Sequence, residues 1–104
     1  MLTKYGAIRT EIDGIVFASK KEATRYSELK LLQRAGMIQK LRLQPAFEIK
    51  HNGVKICKVI LDFEYFDNTR SRFVFEDVKG KDLPISRIKR KLLMAFYGID
   101  VLLT

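Results

Sequence analysis

The sequence predicts an α/β fold of the mixed α+β kind, built as a single domain over residues 1–104. Three observations support this prediction: a tight-turn dipeptide near the start, two stretches with helical spacing of apolar residues, and alternating apolar runs between them. A chain of this length buries one core and little else. The expected order is a short N-terminal hairpin, a helix, a three-stranded antiparallel meander, a second helix and a parallel strand.

A hairpin and a helix are expected first. Asp13-Gly14 supplies the positive φ angles that a tight hairpin turn needs. Ser19 followed three residues later by Glu22 is a capping-box pattern, and Gly36 suits a helix end, so the helix is predicted over residues 20–35. Its apolar face is Ala23, Tyr26, Leu29, Leu32 and Ala35.

The middle of the chain predicts the antiparallel meander. Residues 37–43 are expected to lead into it, and turn signals occur at residues 51–53 and 67–71. The three strands are predicted near residues 46–50, 54–66 and 72–79.

The last part of the chain predicts a helix and a strand. Apolar residues with helical spacing follow Pro84, and Gly98 suits the helix end. Residues 99–103 predict a buried strand. A strand joined to another through such a helix normally pairs with it in parallel, by a right-handed crossover.

Charge and composition indicate the kind of partner. The net charge of +8 favours a polyanion, and for a chain of this size the usual polyanion is nucleic acid. No apolar run reaches the roughly 20 residues that span a bilayer, and the start lacks the apolar stretch of a signal peptide. The single Cys57 fits a reducing cytoplasm. We therefore expect no membrane association.

Asp62, Asp77 and Lys79 are the residues that predict chemistry. Each lies in or at the end of an apolar strand, where a charge is costly without a reason. Strand alternation places Asp77 and Lys79 on one face, while Glu76 points away from it. Two acids and one lysine within reach of one divalent ion predict a metal-dependent phosphodiesterase. A salt-bridge cluster at a sheet edge is the alternative.

Five stretches, taken in order, resemble those of a small phage and prophage family in the PD-(D/E)XK nuclease superfamily, catalogued as a domain of unknown function. They are residues 4–7, 13–23, 43–47, 62–65 and 76–80. The resemblance spans nearly the whole chain. It implies a restriction-endonuclease-like core related to Holliday-junction resolvases, in a phage- or prophage-encoded protein of the bacterial cytoplasm.

The resemblance also implies a set of site residues. The first-helix acid of the superfamily falls on Glu22, its metal-binding aspartate on Asp62, and the acid and lysine of its third motif on Asp77 and Lys79. The implied cofactor is Mg²⁺, with Mn²⁺ as a substitute, held by the three carboxylates and by the carbonyl of Val78. The capping box alone also accounts for Glu22, so a cap and a metal ligand are alternative roles for it.

The sequence departs from the superfamily pattern at two positions. Leu61 replaces the proline of the motif, and Asp77 replaces the commoner glutamate, so its shorter side chain would lie closer to the metal. Two further residues are candidates for supporting roles. Gln44 matches a glutamine of the phage family, and Glu64 shares the face of Asp62, where it is either an outer ligand or a solvated charge at the rim.

The predicted function is an Mg²⁺-dependent DNA endonuclease that hydrolyses phosphodiester bonds, acting on branched or structured DNA during phage recombination or replication. The cations expected to bind the DNA backbone are Lys20, Lys21, Arg87, Lys89, Arg90 and Lys91. No base-reading module fits into the chain, which favours recognition of DNA shape. A single site per chain would need a homodimer to cut two strands, and a phage replication or recombination protein is a further expected partner.

Two alternatives remain open from the sequence. In the first, the chain is a non-catalytic, basic nucleic-acid-binding module whose DNA binding ignores Mg²⁺ and survives Asp62→Asn. In the second, it is a nuclease subunit that acts only with a partner protein.

Overall fold

Two helices and a mixed four-stranded sheet form the centre of the structure, which confirms the predicted α+β class. This computed structural model describes residues 9–104. Residues 4–7, which belong to the resemblance, and the chain start considered for a signal peptide lie outside the described residues. Within residues 9–104, no helix is long and apolar enough to cross a membrane.

The predicted hairpin is present. Strands β1 (Thr10–Ile12) and β2 (Ile15–Phe17) pair antiparallel, with Ile12 opposite Ile15. Asp13 and Gly14 both have positive φ angles, 54° and 75°. That is the conformation for which this dipeptide is favoured in two-residue turns.

Helix α1 (Lys20–Arg34) begins at the predicted cap and ends within one residue of the predicted end. The Ser19 hydroxyl accepts a hydrogen bond of 3.1 Å from the Glu22 backbone N–H, which satisfies one of the free donors of the first turn. The helix buries Ala23, Tyr26 and Leu29. They pack with Phe17, Ile38, Phe63 and Tyr65 in the first core cluster.

The predicted single strand over residues 54–66 is wrong, because the chain changes partners in the middle of it. Five strands follow α1: β3 (Ile38–Leu43), β4 (Ala46–His51), β5 (Val54–Ile60), β6 (Phe63–Asp67) and β7 (Arg72–Asp77). Between β5 and β6, the Leu61 N–H donates to the Pro45 carbonyl, but the Asp62 N–H donates to the Glu76 carbonyl. The backbone therefore changes its hydrogen-bonding partner between Leu61 and Asp62, from the segment at Pro45 to β7.

This break divides the predicted meander into two hairpins in separate sheets. Strands β4 and β5 pair only with each other, whereas β6 pairs with both β3 and β7. Strand β3, which the sequence suggested only as a lead-in, is the edge of the four-stranded sheet. Strand β7 ends at Asp77, so Lys79 lies just beyond the strand in which it was expected.

Helix α2 (Pro84–Tyr97) ends at Gly98, whose left-handed φ of 68° caps it as predicted. Strand β8 (Leu102–Leu103) then pairs in parallel with β7, which confirms the predicted direction. The strand is shorter than residues 99–103 and is not buried, because its two leucines lie at the surface. The buried residue of this segment is Ile99.

The residues on the two sides of the junction between β5 and β6 belong to different core clusters. Leu61 belongs to the second cluster, with Ile49, Val59, Leu93 and Ile99, whereas Phe63 belongs to the first. The apolar stripe expected on α2 contributes little, since Ile85 and Ile88 are exposed and Leu93 faces the core instead. Asp62 therefore lies between Leu61 and Phe63, whose buried side chains belong to different clusters.

Candidate active site

Asp62 is held by the backbone of two neighbouring segments. Its Oδ2 accepts a hydrogen bond of 2.7 Å from the Val78 N–H. Its carbonyl accepts one of 2.9 Å from the Gln44 N–H, and its own N–H donates to the Glu76 carbonyl at 3.2 Å. The Asp62 side chain is therefore anchored beside the end of β7, where Asp77 lies.

Glu22 approaches Asp62 from α1. Partial burial raises the pKa of the Glu22 carboxyl to about 7, and the charge of the neighbouring Asp62 acts in the same direction. The cap at Ser19 uses only the Glu22 backbone N–H. The cap involves only the backbone of Glu22, and its carboxyl faces the acid site. The two roles left open by the sequence, helix cap and metal ligand, are therefore compatible.

Asp77 approaches Asp62 from β7. Its pKa is raised to about 8, first by partial burial and then by the hydrogen bond and charge of Asp62, whereas Arg90 acts in the opposite direction. Asp62 is therefore the common neighbour of the other two acids. Along the chain Glu22 and Asp62 lie 40 residues apart, and Asp62 and Asp77 lie 15 residues apart, yet in the fold Asp62 neighbours both of the others.

The acids are grouped in pairs and do not form a ready-made metal cage. Within residues 9–104, no group of three or more His, Cys, Asp or Glu side chains is arranged so that it could hold a metal ion as it stands. The acids instead form two adjacent pairs that share Asp62. Magnesium binds through one or two carboxylates and keeps several waters or phosphate oxygens, so either pair has the chemistry that this ion requires.

Lys79 and Asp77 line one cavity of about 180 Å³. Lys79 is exposed, and its backbone N–H donates to the Thr104 carbonyl at 2.6 Å. Val78, between them, uses its N–H to hold Asp62. Asp77 and Lys79 therefore border one cavity, but Val78 borders it as well, and β7 ends before Lys79, so the cavity is not the strand face that alternation predicted.

The four cations of α2 do not share one face. Lys89 and Arg90 line a second cavity of about 240 Å³ together with Asp77. Arg90 also donates to Asp82 at 3.0 Å, and Arg87 lies 4.0 Å from the same carboxylate. Lys91 is exposed. Lys58 and Ser86 also line the second cavity, and nothing in the sequence had associated them with the acids.

The two lysines at the start of α1 line a cavity that includes none of the three acids. Lys20 and Lys21 line a third cavity, of about 490 Å³, that also includes Val78. The Lys21 ammonium donates to the Lys79 carbonyl at 2.8 Å. Lys21 therefore connects α1 to the segment that follows β7, in addition to its predicted place among the cations.

The two supporting candidates have different surroundings. Gln44 contacts Asp62 through its backbone, at a left-handed φ of 52°, and its side chain is exposed. Glu64 forms an ion pair of 3.5 Å with Arg42, on the neighbouring strand. The Glu64 side chain is only 12% exposed and lies on β6, a central strand of the sheet, so this ion pair is partly buried.

A fully buried carboxylate beside the site was missed from the sequence. Glu76 has no exposed surface and is bonded by Arg25 and Tyr65. Strand alternation did place Glu76 on the face opposite Asp77, but it did not show what packs against that face. The available signal was Val74, an apolar residue two positions earlier on the same face, which indicated that Glu76 points into a core and needs a partner.

Comparisons with known proteins give one match. A family model described as "Protein of unknown function (DUF1064)" matches residues 2–104. No curated protein and no solved structure matches the chain.

Proposed function

Because the chain belongs to the DUF1064 family, whose description assigns no activity, we propose its function from the site: an Mg²⁺-dependent endonuclease that hydrolyses phosphodiester bonds in branched or structured DNA. The observation that carries this proposal is the meeting of Glu22 and Asp77 at Asp62, from a helix, a strand and the break between two strands. The same elements, together with β8 parallel to β7, support the proposal that the core is restriction-endonuclease-like.

Each residue has a role that follows from its position. Asp62 and Asp77 would hold the ion, with Glu22 and the Val78 carbonyl as further oxygen donors. Bound Mg²⁺ supplies charge neutralisation at the phosphate and a water of lowered pKa. The Lys79 ammonium, on the wall shared with Asp77, would stabilise negative charge that develops on the phosphate oxygens.

The arrangement of cations supports DNA as the substrate. Lys89 and Arg90 line a cavity together with Asp77. Lys20 and Lys21 line another cavity, which includes Val78 but none of the three acids. Cations beside Asp77 attract a phosphate that the acids repel, and backbone contacts of this kind position DNA without reading sequence. We propose that shape is recognised, and that two chains form a homodimer when two strands are cut.

The test is a cleavage assay on linear, flapped and four-way DNA with Mg²⁺, with Mn²⁺ and with a chelator. We expect metal-dependent nicking, with the branched substrates cut best. Asp62→Ala should lose cleavage but keep or gain DNA affinity, because it removes a carboxylate that repels phosphate in the absence of metal. Asp100→Asn, which changes an exposed aspartate outside the site, is the matched control.

The outcomes separate the proposal from its rivals. Cleavage by Asp62→Ala at the wild-type rate would remove Asp62 from the site. DNA binding that ignores metal and is never followed by cleavage would support the non-catalytic binding module, which the net charge of +8 also favours. Cleavage that begins only when a phage replication or recombination protein is added would support the partner-dependent nuclease.

A further inference from the structure

Glu76 is a buried charge with an unusually complete set of donors. Arg25 binds it through two parallel hydrogen bonds of 2.8 Å, from Nε to Oε2 and from Nη2 to Oε1. The Tyr65 hydroxyl donates to Oε1 at 2.8 Å, and the Thr104 hydroxyl to Oε2 at 3.4 Å. Two-point contacts of this kind fix the relative orientation of the two side chains as well as their separation.

Stability alone does not account for this ion pair. Removing two charges from water is costly, and apolar residues of similar volume often serve a core as well or better. The Glu76 side chain is fully buried and that of Arg25 is only 23% exposed, so the desolvation cost applies here. The role of such a pair is better explained by the orientation that it gives to neighbouring residues.

The two partners are neighbours of two site acids. Arg25 lies three residues after Glu22, one turn along the same side of α1, and Glu76 immediately precedes Asp77. The Lys21 ammonium, which donates to the Lys79 carbonyl at 2.8 Å, makes a second link between the same two segments. The first turns of α1 are therefore tied to the end of β7 at two points.

We propose that the Arg25–Glu76 ion pair is a positioning clamp that holds Glu22 and Asp77 at their working distance around Asp62. The inference deepens the proposed function and rests on it. When ionised, as metal binding requires, the three carboxylates repel one another, and α1 and β7 are separate elements that this repulsion would push apart. The clamp opposes the repulsion from the side of β7 that faces away from the acids, so neither Arg25 nor Glu76 has to touch the metal.

The test is the affinity for Mn²⁺ alone, measured by calorimetry without DNA, beside cleavage kinetics and thermal unfolding. Arg25→Met/Glu76→Gln removes both charges, leaves the net charge unchanged and keeps an oxygen for the Tyr65 hydroxyl. Arg25→Lys keeps the charge but loses the two-point contact. Glu28→Gln removes the other, exposed partner of Arg25, 3.2 Å away, and is the matched control.

For the double variant we expect Mn²⁺ affinity and kcat each to fall by about tenfold or more, the scale for losing a residue that orients ligands. The Mn²⁺ affinity and kcat of Arg25→Lys should lie between those of the double variant and the wild type, and those of Glu28→Gln should match the wild type. If the double variant does not fold, Arg25→Lys decides. If the folded variants bind Mn²⁺ as tightly as the wild type does, the clamp is overturned but the proposed function is not. If the wild-type protein itself neither binds Mn²⁺ nor cleaves DNA, the proposed function is overturned and the clamp with it.

Discussion

Asp62 combines a backbone anchor with two carboxyl neighbours, and both interactions can be tested through stability. Its Oδ2 accepts the Val78 N–H, a bond that an asparagine oxygen also makes. Partial burial is the main cause of the raised pKa values of Glu22 and Asp77, and the charge of Asp62 raises them further. We expect Asp62→Asn to stabilise the metal-free protein at pH 8 by about 1 kcal/mol, after discounting for solvent screening, or several degrees in melting temperature.

Urea unfolding at pH 8 and pH 5 measures this effect. The gain should shrink at pH 5, where Glu22 and Asp77 are protonated in the folded protein. Asp100→Asn provides the control at an exposed aspartate. Destabilisation by Asp62→Asn at both pH values would mean that the aspartate is held by favourable contacts and that the acids do not repel one another.

The second prediction at the scale of single residues concerns Glu22. Its backbone N–H bonds to Ser19, and glutamine provides the same N–H, so Glu22→Gln should change stability little apart from the relief of repulsion. If the carboxylate serves the metal, cleavage falls sharply and excess Mg²⁺ restores little of it. Cleavage at the wild-type rate would leave Glu22 with the cap alone.

Lys79 carries the third prediction. It is exposed, so Lys79→Ala should fold normally. If its ammonium stabilises charge on the reacting phosphate, the rate should fall by about 10²-fold or more, while Mn²⁺ affinity stays the same. Unfolding of the variant, with full activity in the fraction that remains folded, would make Lys79 a structural residue instead.

At the scale of elements, α2 divides its cations between two surroundings. Lys89 and Arg90 line the cavity with Asp77, whereas Arg87 and Lys91 lie at the surface. The surface pair can therefore be changed without altering the acid site. We expect Arg87→Gln/Lys91→Gln to weaken binding to all DNA sequences alike and to flatten its salt dependence by roughly 0.9 for each phosphate that the variant no longer neutralises.

Filter binding or fluorescence anisotropy over a series of salt concentrations measures this slope. Lys30→Gln/Arg34→Gln, in the last turns of α1 and away from Glu22, is the matched control of equal charge. The preference for four-way DNA should persist in the α2 variant. An unchanged slope would place the DNA-binding surface elsewhere.

At the scale of the whole molecule, the acids make stability depend on pH. The folded pKa values of Glu22 and Asp77, about 7 and about 8, lie above their ordinary values of 4.5 and 3.8. The folded protein therefore binds more protons than the unfolded chain between about pH 4 and pH 8. Its stability should fall as the pH rises through that window and level off above it.

Thermal unfolding from pH 5 to pH 9 measures this dependence in the metal-free protein. Mg²⁺ should raise the melting temperature most at the alkaline end, where the carboxylates are ionised and able to bind it. Asp62→Asn should flatten the pH profile. A stability that rises between pH 5 and pH 8 would contradict the crowding of acids at the site.

The sequence by itself determined the local elements and singled out the acids of the candidate site. The turn at Asp13-Gly14, the cap at Ser19 and the helix end at Gly98 were all predictable, because each depends on the conformational preferences of a few adjacent residues. Asp62 and Asp77 were singled out as acids in apolar strands, and Glu22 by its place in the capping box together with a resemblance.

Only the tertiary structure decided which strands pair and which charges are buried. Residues 54–66 read as one strand because alternation continues through Leu61 and Asp62, yet the hydrogen-bond partners change there, and partners lie far away in the sequence. Glu76 presented the same difficulty. Strand alternation indicated its face, but its burial against Arg25 depended on where α1 packs, 51 residues away. Pairing and burial are set by contacts between distant segments, and a local pattern does not contain them.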